Sequence, residues 1–365
     1  MEGLRMSEHR HNQFEIEVNT PPEGFKASLK SRIIVALVLI AIFVPSFILG
    51  GWVFFFVFMA ALVIALTEML LAPQKKYRWW VWVFTFLVAF GYVYWFILKG
   101  NLIQYEAAKK AGEVYVFSLA EYFDGLDISI INIATSLIGY FVIALFDKNF
   151  EFKDVMYFFL LTALVGLGIQ GFYFARYFPF NQYGHSQAFQ TYTGLNINGI
   201  TGPEVIQTAI FQYWTSAELE IFVLLGVVFN DVMAYFGGVY FGKHKMIERV
   251  SPKKTWEGFF WGWFFGALIC ALFGLGTAFF GSPMLPFLDL EHWYWIVGLA
   301  LLIPLLGDLG DLAFSLIKRH FNIKDYGNIL RGHGGVLDRA DSSIFAMIGV
   351  SIALIFISHG FNFLL

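Results

Sequence analysis

An all-α, polytopic bundle of transmembrane helices is the fold class this sequence predicts, on three observations. Mean hydropathy is +0.65 and only 14% of the 365 residues are charged, a composition outside that of soluble domains. Apolar windows close to the ~20 residues needed to cross a bilayer recur about nine times along the chain. Lysine and arginine crowd into alternate connections between those windows, which is the signature of a topogenic charge bias.

The elements follow in order. Residues 1–30 are polar, contain Pro21-Pro22 and precede no small-residue cleavage pattern, so they are expected to be a cytoplasmic tail and not a removed signal peptide. Windows at 33–49 and 52–71 are joined by Gly50-Gly51, which suits a tight hairpin. The window at 79–98 carries Trp79, Trp80, Tyr94 and Trp95 where an aromatic belt would lie. Further windows fall at 128–146, 155–175, 219–242, 258–280, 293–317 and 342–363. Stretches 99–127 and 177–218 are long connections rich in Asn, Gln, Gly and Tyr. Residues 31–215 are therefore expected to form an N-terminal membrane region with long outer loops, and 216–365 a C-terminal membrane region that holds the charged motifs of the chain. Cys270 is the single cysteine and sits inside an apolar window. It can close no internal disulfide and reads as a buried core residue.

Twenty of the 24 basic residues fall on one side if the N-terminus is inside; Lys99, Lys109, Lys110 and Arg176 are the remainder. The expectation is an N-in, C-out chain of nine spans with loops 243–257 and 318–341 facing the cytoplasm. The net charge of −3 gives no reason to expect a nucleic-acid partner.

Charge inside the membrane marks the chemistry, because ionisable groups there are costly. Asp308, Asp311, Ser315 and Lys318 are spaced i, i+3, i+7 and i+10 and so line one helical face. With a rise of 1.5 Å per residue, Asp311 lies roughly 10 Å deeper than Lys318. Asn230-Asp231 sits mid-window with Tyr235 one turn on, beside a small-residue ridge of Gly226, Ala234, Gly238 and Gly242 that admits a close neighbouring helix. Lys243-His244-Lys245 and Ser251-Pro252-Lys253-Lys254-Thr255 precede a helix start; that placement suits phosphate binding, or equally contact with anionic lipid headgroups.

His333-Gly334-Gly335 forms a permissive turn ahead of Asp338 and Asp341 at i, i+3. Asp341 with Ser342 also resembles an N-cap for the ninth helix. Hard oxygen ligands beside basic residues point to Mg²⁺ carried with a phosphate substrate. Joining two phosphate esters brings anion to anion, so a site must supply cations against repulsion and a metal for the charge on the α-phosphate and leaving pyrophosphate.

These blocks resemble the CDP-diacylglycerol synthase family, the phosphatidate cytidylyltransferases. The pattern S-x-x-K-R, four residues, K-D-x-G, then H-G-G-x-x-D-R-x-D runs from Ser315 to Asp341 in order and with its spacing. Asn230-Asp231 with Ala234-Tyr235, Gly310-Asp311-Leu312, and Ser251 to Thr255 with Glu257-Gly258 are similar to its other blocks. Arg331 stands where the family usually has proline, so this loop is less rigid and gains a charge.

The resemblance implies transfer of a cytidylyl group from CTP to phosphatidate, giving CDP-diacylglycerol and pyrophosphate with Mg²⁺, and it allows a second, monovalent cation such as K⁺. It implies Asp311 and Asp338 as metal ligands with Asp341 close by. Charge and location add Lys318, Arg319, Lys324 and Arg339 as phosphate-gripping groups, with His333 in the same loop, Lys253 and Lys254 from the facing loop, and Asp231 completing the cavity. It further implies a multi-pass protein of a bacterial cytoplasmic membrane, in contact with membrane lipid, for which a homodimer is open. Rival readings are a CTP-dependent polyprenol or phytol kinase, a synthase acting on an archaeal ether lipid, an ion-coupled transporter, and a non-enzymatic scaffold that leaves the buried carboxylates unexplained.

Overall fold

The computed structural model describes residues 25–94, 128–183, 215–281, 283–285, 287–327, 329 and 334–358. Nine helices lie among them: α1 (Phe25–Leu49), α2 (Gly51–Leu71), α3 (Trp79–Tyr94), α4 (Ile128–Phe146), α5 (Phe152–Tyr183), α6 (Thr215–Phe241), α7 (Trp256–Phe279), α8 (Trp293–His320) and α9 (Leu337–Ser358). Six of these, α2 and α5 to α9, are long and apolar enough to cross a membrane. The other three are apolar over shorter lengths, Leu37–Phe47, Trp79–Tyr94 and Ile131–Phe146. In lipid a helix satisfies its own backbone donors and acceptors, which is why apolar composition and helix coincide here.

The expected hairpin at Gly50-Gly51 is present. Gly50 precedes α2 with φ of 61°, a conformation only glycine adopts without strain. The fold is not purely helical, however. Between α6 and α7 the chain forms an antiparallel β-hairpin, β1 (Lys245–Ile247) with β2 (Ser251–Thr255), in register Lys245↔Thr255 and Ile247↔Ser251. A second correction concerns α9, which begins at Leu337 and not near 342.

Helix α7 packs closely along α6, and the sequence explains how. Gly258, Gly262, Gly266, Cys270 and Gly274 recur every four residues on the buried face of α7. They meet Ala234, Asn230, Gly226 and Phe222 of α6, and a methyl group added at Gly262 or Gly266 would strike the α6 backbone. The ridge read from the sequence is thus a true helix–helix contact, and buried Cys270 donates its thiol hydrogen to the Phe222 carbonyl at 3.2 Å. Helix α8 lies against α7 and α9, and α9 lies against α5.

The N-terminal spans are packed onto this group. Phe54 and Phe58 of α2 form an aromatic cluster with Phe172 and Tyr173 of α5. Tyr140 of α4 hydrogen-bonds Thr85 of α3 at 3.1 Å and Thr162 of α5 at 2.9 Å. Before α3, Lys75 and Tyr77 both reach the Asp154 carboxylate at 2.8 Å, fixing the α2–α3 connection to the start of α5. Burial alone would lower the Lys75 pKa, but Asp154 and Glu151 hold it above the ordinary lysine value.

Candidate active site

Four elements converge on one cavity of about 480 Å³: the middle of α6, the β2–α7 junction, the second half of α8 and the first turns of α9. Its polar wall carries Asp231, Lys254, Asp308, Asp311, Asp338 and Asp341. Lys253 and Arg339 line it with exposed side chains. Five carboxylates thus face three cationic side chains, which leaves the wall acidic.

Lys254 is the pivot of the arrangement. Strand β2 ends at Thr255, whose hydroxyl caps α7 by accepting the Gly258 N–H at 3.2 Å. That fixed end aims Lys254 across the cavity, where its ammonium meets Asp308 Oδ1 at 2.9 Å and Asp311 Oδ2 at 2.8 Å. Burial opposes its charge, yet the two aspartates more than offset this and raise its pKa above the ordinary lysine value. The ammonium therefore stays charged at any physiological pH.

Asp308 and Asp311 differ in access. Asp308 is 4% exposed, and its second oxygen accepts from Asn230 Nδ2 at 3.1 Å. Asp311 is 29% exposed and has only Ser315 Oγ, at 3.4 Å, on its other oxygen. The i, i+3 spacing on α8 has put both on the cavity side, with Asp308 serving the helix contact and Asp311 open to a ligand. Asp231 has an accessible carboxylate amid dense protein, as suits a cavity wall, and lies within electrostatic reach of Asp311, Lys254, Asp308 and Arg339.

Lys318 does not reach the open cavity. It is buried against Asp338 Oδ1 at 2.9 Å, stands 3.8 Å from Asp341 Oδ2, and sits 5.6 Å from the centre of the Tyr326 ring. The Asp338 Oδ2 atom accepts backbone N–H groups of Tyr326 at 2.8 Å and Gly335 at 2.9 Å. Asp338 therefore ties the loop to α9 while also lining the cavity. Gly334, at φ of 82°, has no room for a side chain beside Asp338. Because Lys318 and Asp338 are 9% and 2% exposed, Lys318→Met is expected to lower stability by about 3–5 kcal/mol by leaving a buried carboxylate unpaired. Thermal unfolding in detergent measures this, and an unchanged midpoint would contradict it.

Asp341 is not the helix N-cap that its sequence context resembles. It lies inside α9, with Oδ1 accepting the Ser342 N–H at 2.8 Å. Of the other expected phosphate-gripping groups, Arg319 is turned to the carbonyls of Val250 and Ile323 at 3.3 and 3.2 Å. Lys324 is exposed and is not among the side chains that form the cavity wall. His333 and Arg331 lie outside the described residues.

One important side chain escaped the sequence reading. Glu68 of α2, 2% exposed, accepts the backbone N–H groups of Val336 and Leu337 at 3.0 and 2.8 Å. The signal was available, since Glu68 is a lone carboxylate in an apolar window.

Comparison with known proteins gives the family of the chain. Residues 30–357 match the cytidylyltransferase family. A phosphatidate cytidylyltransferase of Staphylococcus aureus is 30% identical over 329 residues, covering 90% of this chain and 99% of the relative. One from Staphylococcus epidermidis is 31% identical over 330 residues with the same coverage, and one from Staphylococcus haemolyticus is 30% identical over 329. With an acidic, lysine-bridged cavity among apolar helices and a family match over most of its length, the chain belongs to the cytidylyltransferase family and is a membrane nucleotidyltransferase.

Proposed function

We propose that the protein transfers the cytidylyl group of CTP to phosphatidate, releasing pyrophosphate and forming CDP-diacylglycerol. The observation that carries this reading is the cavity itself, whose lining combines acidic and basic groups with exposed apolar side chains that form a lip. Tyr235 and Val239 of α6 are 67% and 61% exposed and line that lip together with Phe259 of α7. A diacyl lipid placed there keeps its chains in the bilayer while its phosphate enters the polar wall. The basic-residue bias along the chain supports a cytoplasmic mouth, N-in and C-out, where CTP is present.

A phosphate oxygen of phosphatidate attacks the α-phosphorus of CTP, and the bond from that phosphorus to the pyrophosphate oxygen breaks as the new bond forms. The nucleophile is already anionic, so no side chain has to carry the cytidylyl group. Exposed Lys253 and Arg339 neutralise the approaching phosphates, and Lys254, held over α8, presents charge deeper in the cavity.

The donor set fits Mg²⁺. Among the described residues no three His, Cys, Asp or Glu side chains converge into a ready cage. Mg²⁺ needs none, since it binds one or two carboxylates and fills its shell with water and substrate phosphates. Asp311 and Asp338 would hold it, with Asp231 and Asp341 as further oxygen donors in the same cavity. When bound, the ion neutralises charge developing on the α-phosphate and on the pyrophosphate. A monovalent cation such as K⁺ beside it belongs to the same proposal.

The test is transfer of α-labelled CTP into lipid by the purified protein in detergent. Label is expected in CDP-diacylglycerol with phosphatidate and Mg²⁺, is expected to disappear with EDTA, and is expected to return on Mg²⁺ addition, with K⁺ varied separately. Turnover with polyprenol or phytol and none with phosphatidate would replace this reading with the kinase one.

A further inference from the structure

We infer that Glu68 is a positioning residue for the reaction, a two-oxygen clamp that sets the first turn of α9 and through it the cavity-facing groups Asp338, Arg339 and Asp341. The inference rests on the reaction proposed above, although the clamp itself is a structural claim that can be tested without turnover.

The first N–H groups of any helix lack partners within it and need outside acceptors. At α9 the supply is divided between two carboxylates. Asp338 Oδ2 takes Gly335 N–H, and Glu68 gives one oxygen to each of the next two donors, Oε1 to Val336 and Oε2 to Leu337. A carboxylate at that end is also favoured by the helix dipole. A fork with both prongs engaged fixes rotation as well as position. It therefore decides which way residues one, two and four places beyond Leu337 project.

The loop glycines give an independent sign that the fit is tight. A methyl group added at Gly327 or at Gly335 would collide with the Glu68 carboxylate. Two glycines from different parts of the K-D-x-G and H-G-G blocks are thus shaped around a side chain that arrives from α2. Glu68 touches no cavity wall in this arrangement, which makes it a support for the reacting groups and not one of them.

The experiment compares Glu68→Gln with Leu62→Ala, which removes fully buried bulk from the same helix and serves as a purely destabilising control. Glutamine keeps the size of the side chain but replaces one acceptor by a donor facing an N–H. With kcat and KM measured well below each variant's melting point, Glu68→Gln is expected to lose about 100-fold in kcat, the scale of a misplaced reacting group, with KM for CTP changed less than threefold. Amide exchange in a peptide spanning 334–342 is expected to accelerate in Glu68→Gln and to stay as in wild type in Leu62→Ala. Loss of activity that merely tracks melting temperature in both variants, or unchanged exchange over 334–342, would overturn the clamp. If wild type transfers no cytidylyl group, the reaction reading fails, while the exchange comparison still decides whether Glu68 holds α9.

Discussion

Asp311→Asn is expected to abolish cytidylyl transfer, lowering kcat by at least about 10³-fold, while leaving the protein folded. The substitution nearly preserves shape, and the side chain is 29% exposed with one weak hydrogen bond besides its ion pair. Lys254 keeps Asp308 as a partner in the variant, so no buried charge is orphaned and the melting temperature should move by only a few degrees. Asp308→Asn is the informative companion. Asp308 is nearly buried and is tied to Asn230 as well as Lys254, so its loss should show first in stability and much less in kcat. The pair is measured by label transfer from CTP, with Mg²⁺ titrated for each variant. Wild-type turnover in Asp311→Asn would remove it from the metal site and leave the charge of α8 without a catalytic reading.

Lys254→Met is expected to produce the second large effect, and in both stability and rate. Without the ammonium, Asp308 and Asp311 face each other as like charges in a partly desolvated wall, a configuration costing several kcal/mol when one partner of a buried ionic set is removed. The cavity also becomes more acidic toward an approaching triphosphate, so KM for CTP should rise together with a fall in kcat of about 10²-fold or more. A double variant, Lys254→Met with Asp308→Asn, separates the two consequences. Stability should return because the repulsion is relieved, and activity should not, because the charge offered to phosphate is still missing. Recovery of turnover in the double variant would show that Lys254 only neutralises Asp308. Since the Lys254 pKa is raised, its contribution to stability is fully present below the ordinary lysine pKa and is lost only as pH rises through the higher folded value. An activity decline between pH 6 and 9 would have to come from another group.

The legibility of the site depended on how local its cause was. The stripe on α8 followed from helical spacing alone, and Asp308, Asp311, Ser315 and Lys318 do lie along the face that meets α6, β2 and α9. The ridge of small residues on α6 was equally legible because a close helix contact leaves a periodic mark. The destination of Lys318 was not, since whether a lysine grips a ligand or a neighbouring aspartate is decided by the path of a loop. The β-hairpin was also hidden. Its strands are three and five residues long and include Pro252 and three lysines, so it forms because α6 and α7 lie close together, with Glu257 accepting the Lys243 and His244 N–H groups at 3.1 and 3.2 Å. The start of α9 was placed too late because Asp338, Arg339 and Asp341 look like loop residues, and one carboxylate that caps them lies on α2.

That carboxylate is 268 residues ahead of its partner in the chain. During synthesis α2 enters the membrane long before α9 exists, and a charged group near a span is disfavoured by up to about 2.5–3.5 kcal/mol at the helix centre. Until α9 is delivered, Glu68 must stay hydrated at the membrane edge or carry a proton. Translation order therefore delays completion of the cavity until α9 is made: a nascent chain truncated before Val336 would hold Asp231, Lys254 and Asp311 and still lack Asp338 and Asp341.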